Sequence, residues 1–276
     1  MVRGAGRTAR GSVWLTGKTR RSRGGGGQPS GLDRERITEA TVRLLDAEGL
    51  DGFSMRRLAT DLNVTAMSLY WYVDTKDDLL ELALDAVYEG LELPDLDTAA
   101  SGSPDPDAAP DPDAAPHPAD APDPEWPTHL RALATVYRAL LVRHPWLSAL
   151  AGRYLNIGPH ALVFSRTVQR VVRRTGLPEH RISSAISAVF QFVYGYGTIE
   201  GHFFGRVADA GMTPDEYFQH SLATATEAPR AAEVLAESRN LMAARGGDTV
   251  AEMFDHDFTY ALDLLIAGIE AMVERG

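Results

Sequence analysis

Apolar residues recur at helical spacing along two stretches of the chain, and neither carries the alternation that marks a half-buried strand. In the first stretch Ile37, Ala40, Leu44 and Leu45 share one face behind Asp33, a residue suited to cap a helix, and Gly49 suits a left-handed stop. Ser54 opens a short second helix carrying Met55, Leu58, Ala59 and Leu62. Asn63-Val64 then turns the chain, and Thr65 caps a third helix predicted through about Val73. Thr75, with Asp78 placed as in a capping box, opens a fourth helix whose apolar side is Leu79, Leu80, Ala83 and Val87.

The second stretch reads as about six or seven longer helices. Pro127, Pro145, Pro159, Pro178 and Pro214 sit where a helix can start, and Gly176 and Gly246 where one can stop. Thr213-Pro214-Asp215-Glu216 combines cap, first-turn proline and capping-box glutamate. Residues 161–174 and 182–205 are long candidates, the second apolar nearly all round through Ile182, Ile186, Val189, Phe190, Val193 and Tyr194. Gly197, Gly201 and Gly205 recur at every fourth position and would let another helix approach closely. The last helix carries Phe254, Phe258, Leu262, Leu265, Ile269 and Met272. Any one of these residues reads most simply as intramolecular core. Two such wide apolar helices together predict a bundle shared between two subunits.

Low-complexity segments delimit these stretches. Residues 1–31 form a basic Gly/Arg-rich tail with Arg3, Arg7, Arg10, Lys18, Arg20, Arg21 and Arg23 and no acid. Residues 94–125 are rich in Pro, Asp and Ala and contain no Lys or Arg. Both compositions read as disordered, since neither buries enough apolar surface to order itself. The expected organisation is all-α: a three-helix helix-turn-helix module at 32–93 and a larger helical domain at 126–276.

The net charge of −11 argues against a protein that coats nucleic acid by bulk attraction. Cysteine is absent, which excludes disulfides and thiolate chemistry. No apolar run is long enough to span a bilayer, so the sequence points to a cytoplasmic protein without a membrane partner. The eight histidines are scattered without ligand spacing, and no cofactor motif or nucleophile elbow occurs. Asp77-Asp78-Leu79-Leu80-Glu81 superficially resembles an acidic metal motif, but acids in a first helical turn complement the dipole. Asp255-His256-Asp257 are of metal-ligand type, but adjacent residues point in different directions on a helix, so a surface turn is the simpler reading. An enzyme is not expected.

Two short helices joined by a tight turn are the parts of a helix-turn-helix. If Leu69 and Val73 face inward, rotation places Met67, Ser68, Tyr70 and Trp71 on the opposite face. Exposed aromatics mark a contact surface, yet Tyr70-Trp71-Tyr72 can equally pack on a neighbouring domain, and the period does not separate these alternatives.

Gly52-Phe53-Ser54-Met55-Arg56-Arg57-Leu58-Ala59, then Leu62-Asn63-Val64, Leu69-Tyr70-Trp71-Tyr72-Val73 and Lys76-Asp77-Asp78-Leu79-Leu80 resemble the DNA-binding domain of the tetracycline-repressor (TetR) family over residues 33–90. Asn63 replaces the usual turn glycine and tolerates the left-handed conformation. Tyr72 stands where the family commonly has histidine. The resemblance implies that the third helix enters the major groove. Arg56 matches a base-contacting position, its planar fork suited to guanine. Ser68 can bond a base or phosphate, Ala66 and Met67 can pack on thymine methyls, and Tyr70, Tyr72 and Lys76 suit phosphates. Trp71 can do either, and Thr65 completes the candidate set. Against this, residues 32–93 are themselves acidic, so binding must rest on a few placed cations.

The resemblance extends through Arg143-His144-Pro145-Trp146, Asn156-Ile157-Gly158-Pro159 and the segment from Phe258 to Leu265. It implies a homodimer that binds double-stranded palindromic operator DNA, represses, and dissociates when a small-molecule effector fills the C-terminal domain. Candidates for the effector site are Phe164, Gln191, Tyr194, His202 and Phe203, which offer aromatic walls and a few polar groups. The alternative reading is a helical sensor or adaptor without specific DNA binding.

Overall fold

The computed structural model describes residues 12–15, 32–96, 122–238, 240 and 244–275. Among these the regular structure is entirely helical. In chain order the helices are α1 (Arg34–Gly52), α2 (Met55–Asp61), α3 (Ala66–Leu69), α4 (Lys76–Ala86), α5 (Trp126–Arg143), α6 (Trp146–Ala151), α7 (Pro159–Arg173), α8 (Glu179–Ala210), α9 (Pro214–Thr226), α10 (Pro229–Glu237) and α11 (Val250–Glu274). Contacts divide the chain into a first unit of residues 1–92 with 143–166 and a second of 93–142 with 167–276. Of the segments expected to be disordered, 97–121 of the linker and 1–11 and 16–31 of the tail lie outside the described residues. The linker's described ends depart from that expectation, for Leu96 is buried and Asp123 pairs with Arg174, both satisfying groups of the second unit.

In the first unit the expected caps form. Asp33 accepts from the Arg36 amide, Ser54 from Arg57, Thr65 from Ser68 and Thr75 from Asp78. Gly49 has φ +67° and interrupts α1, and Asn63 takes φ +53° in the turn between α2 and α3. Ile37 and Leu45 of α1, Leu58 of α2, Leu69 of α3 and Leu79, Leu80 and Leu84 of α4 are fully buried, joined by Leu147 and Leu150 of α6. Each such side chain contributes about 1.5–3 kcal/mol relative to exposure. Regular helix stops at Leu69 rather than near Val73. Beyond it the chain continues as a turn in which the Tyr72 and Val73 amides both donate to the Leu69 carbonyl, while the Tyr72 carbonyl accepts from Arg34 Nη2 at 2.9 Å.

In the second unit α8 runs from Glu179 to Ala210 and ends at Gly211, whose φ is +64°. A Cβ on Gly197 would meet the Leu141 side chain at 3.0 Å, and one on Gly201 the Leu141 carbonyl at 3.0 Å. These two glycines let the end of α5 lie against α8. Gly205 meets nothing within 4 Å and continues the helix. Behind this crossing Arg138 is buried, its Nε and Nη2 donating to the two oxygens of Glu200 at 2.6 and 2.7 Å and its Nη1 to Asp255 at 2.7 Å. The guanidinium also lies 4.6 Å from the ring centre of Phe258. Burial works against its charge, but the Glu200 and Asp255 carboxylates more than compensate and hold its pKa above the ordinary arginine range. Asp255 and Asp257, weighed in the sequence as metal ligands, are engaged by Arg138 and Arg245.

Candidate nucleic-acid interface

The third helix presents the face that its period predicts. Leu69 and Val73 are buried, whereas Met67 is 71% exposed, Trp71 63% and Tyr70 44%. Within this chain Tyr70 and Trp71 are therefore not core. Tyr72 departs from them: half-buried, it donates its hydroxyl to the Leu32 carbonyl at 2.7 Å and so braces the start of α1. Thr65 accepts from the Ser68 amide at 3.3 Å and shares a 2.9 Å hydrogen bond with the Ser68 hydroxyl, which pins the first turn of α3. Ala66 and Ser68 are half-buried beside exposed Met67.

The paired arginines of α2 have different employment. Arg57 donates to Glu48 of α1 through Nε at 2.9 Å and Nη2 at 2.6 Å, and that hydrogen-bonded carboxylate raises its pKa. Arg56 is exposed, and no ion pair engages it among the described residues. Lys76 is turned inward, donating to the Phe53 carbonyl at 2.8 Å with its ammonium 5.0 Å from the Phe53 ring centre. An ammonium has three donors, so this bond leaves capacity for a second acceptor.

Sequence reasoning missed what holds α4, the helix that directly follows this exposed face. Asp77, Glu81 and Asp85 lie one helical turn apart and form an acidic stripe along α4. Tyr154 donates to Asp77 at 2.9 Å, and burial foremost, then this carboxylate, push its phenol up to about 12. Glu81 accepts from the Ser12 hydroxyl and the Val13 amide. Asp85 accepts from the Ala161 amide at 2.9 Å, capping the start of α7. Nearby, Asp46 of α1 accepts from Trp146 Nε1 at 2.6 Å and is bonded to His144 Nδ1 at 2.7 Å. Much of the acidity of residues 32–93 thus serves internal anchoring.

The approach at Asp85 is close enough to demand glycine. A Cβ on Gly158 would stand 2.2 Å from the Asp85 carboxyl carbon. Gly158→Ala must separate α4 from the start of α7, at a cost of about 1–3 kcal/mol typical of overpacking, read as a lowered urea midpoint. Asp85 also titrates abnormally: burial foremost raises its pKa, partly opposed by the amides of Ala161 and His160. A carboxyl raised in the folded state contributes stability below its unfolded pKa and loses it as pH rises through the folded value. Thermal melts across that window should show the wild-type chain losing stability with rising pH and Asp85→Asn losing less.

The effector candidates are divided between the two units. Phe164 is buried in the first unit with its ring 5.6 Å from that of Tyr88. Gln191 and His202 of α8 are exposed, and Tyr194 is half-buried. Phe203 lines a cavity of about 150 Å³ with Phe218, Arg245, Val250, Met253 and Phe254.

Comparison with known proteins agrees with this architecture. Residues 37–83 match the family model described as bacterial regulatory proteins, tetR family, and residues 117–273 that of the tetracyclin repressor-like C-terminal domain. The chain is 33% identical over 264 residues to the HTH-type transcriptional repressor DrrR1 of Streptomyces coeruleorubidus, covering 95% of this chain and 85% of that protein. It is 32% identical over 240 residues to an HTH-type transcriptional regulator of Saccharopolyspora erythraea, covering 87% and 85% of the two chains. Among solved structures, ActR of Streptomyces coelicolor in complex with actinorhodin superposes with a TM-score of 0.61 at 24% identity, over 88% of this chain and 97% of that one. A possible TetR family regulator from the same organism gives 0.60 at 25% identity, over 87% and 99%. With family models matched in both halves and relatives matched over most of its length, the chain belongs to the TetR family of bacterial transcriptional regulators.

Proposed function

We propose that the chain is a ligand-responsive repressor that binds a palindromic operator as a homodimer and leaves it when a small molecule binds the C-terminal domain. The observation that carries this reading is the face of α3, where Met67, Tyr70 and Trp71 are exposed on a short turn capped by Thr65. Apolar side chains so displayed need a partner surface. Beside them Arg56 offers the fork that reads guanine, Ala66, Met67 and Ser68 meet base edges, and Tyr70, Tyr72, Trp71 and Lys76 meet backbone or bases.

Dimerisation rests on the second unit. α8 and α11 leave an apolar groove of about 510 Å³ whose lining includes Leu177, Ala185, Ala188, Leu264 and Ile269. Leu264 is 58% and Tyr260 70% exposed on the single chain. A second copy of the same two helices would cover both in a self-complementary contact, and two-fold symmetry would set two reading helices about 34–36 Å apart.

Release requires an effector that binds better to the conformation unable to read DNA. α4 is the natural lever, because Lys76 ties its first turn to Phe53 and Asp85 ties its end to the start of α7. An effector that moves the start of α7 would pull on the helix adjoining the reading surface. Within the second unit, Gln191, Tyr194, His202 and Phe203 are the proposed contacts of that molecule. The test is a mobility shift on DNA flanking the chain's own gene, with small molecules then added. A specific complex of two chains per duplex, dissolved by one compound class, is expected. A folded protein that shifts no specific duplex would instead leave the adaptor reading.

A further inference from the structure

The basic tail contains one short segment of a different character. Val13-Trp14-Leu15 is the only run of three large apolar residues among the first 31 positions, otherwise rich in Gly and Arg. In the structure Ser12–Leu15 form a tight turn, with the Leu15 amide donating to the Ser12 carbonyl at 3.1 Å and the Trp14 amide to the Ser12 hydroxyl at 3.3 Å. The turn is seated in the first unit: Ser12 is 6% and Val13 3% exposed. Its two donors, the Ser12 hydroxyl and the Val13 amide, converge on one oxygen of Glu81, a carboxylate itself 7% exposed.

We propose that Ser12–Leu15 is an intramolecular peptide ligand of α4, and that the surface around Glu81 is a docking site for a hydroxyl-bearing residue followed by a β-branched apolar one. A buried carboxylate is costly unless its lone pairs are satisfied, and here the donors come from a segment 68 and 69 residues upstream. Val13 supplies the apolar complement. Seated between the Asp77 and Asp85 anchors, the turn completes the clasp on α4 and restrains the helix that any allosteric signal must move. The inference concerns docking and does not depend on the DNA reading.

Amide hydrogen exchange on the full-length chain tests it. In the wild type the amides of Val13 and Leu15 should exchange well below free-chain rates. Glu81→Ala should accelerate them by about tenfold or more, in line with the loss of one or two net hydrogen bonds. Ser12→Ala, which leaves the helical core untouched, should accelerate them to a smaller extent. A chain lacking residues 1–15 should exchange faster throughout α4 while α1 keeps wild-type protection. Adding a synthetic peptide of residues 10–17 should then restore α4. Free-chain exchange at Val13 and Leu15 in the wild type, or α4 exchange indifferent to the segment, would overturn the proposal.

Discussion

Glu200→Ala should destabilise the second unit by about 3–5 kcal/mol, the range for removing one partner of a buried ion pair. Glu200 is 5% exposed and receives two hydrogen bonds from Arg138 in a fork-to-fork arrangement. Without it the guanidinium keeps only Asp255, whose side chain is 68% exposed, and remains among the rings of Tyr196 and Phe258 with most of its charge uncompensated. Asp255→Ala removes a partner already in water and should cost less than about 1 kcal/mol. Replacing both buried partners with apolar residues, Arg138→Met with Glu200→Leu, should recover much of the loss, because no charge is then left behind. Urea midpoints at fixed protein concentration check the series. A Glu200→Ala midpoint close to wild type would mean that water reaches the pair.

The second large effect is on DNA. Arg56→Ala and Tyr70→Ala should each weaken operator binding about a hundredfold or more, since a good contact is worth about 1–3 kcal/mol and a two-fold dimer loses it twice. The two losses should differ in kind. Arg56→Ala should relax preference at one base pair in each half-site, whereas Tyr70→Ala should weaken all sequences alike if it contacts phosphate. Arg57→Ala is the control: its guanidinium is held by Glu48, so base preference should persist. Lys76→Ala should lower both affinity and melting temperature, because the same ammonium anchors α4 to Phe53. Titrations by fluorescence anisotropy at one stated salt concentration read all four.

What could be read from the sequence was local. A cap involves a side chain and an amide a few residues on, so Asp33, Ser54, Thr65, Thr75 and Thr213 were readable, as was the left-handed turn at Asn63. The period of α3 separated Leu69 and Val73 from Met67, Tyr70 and Trp71 for the same reason. The acidic stripe of α4 was not readable. Acids at every fourth position look like a solvated face, and the partners of Asp77, Glu81 and Asp85 lie 77, 69 and 76 residues away in sequence. Gly158 is visible as a glycine, but its reason is the Asp85 carboxylate. The end of α8 was misplaced at Gly205 because nothing local distinguishes a glycine that stays helical from Gly211, which turns left-handed. Nor does any local pattern announce that Trp146, Tyr154 and Ala161 donate to Asp46, Asp77 and Asp85.

Selection of bound duplexes from a randomised DNA pool tests the central claim most directly, because it presumes neither operator nor effector. The account predicts enrichment of one two-fold symmetric site, its half-sites separated by about one helical turn, and its loss with Arg56→Ala. A folded chain that enriches no sequence, or one without dyad symmetry, would contradict a symmetric dimer that reads DNA through α3.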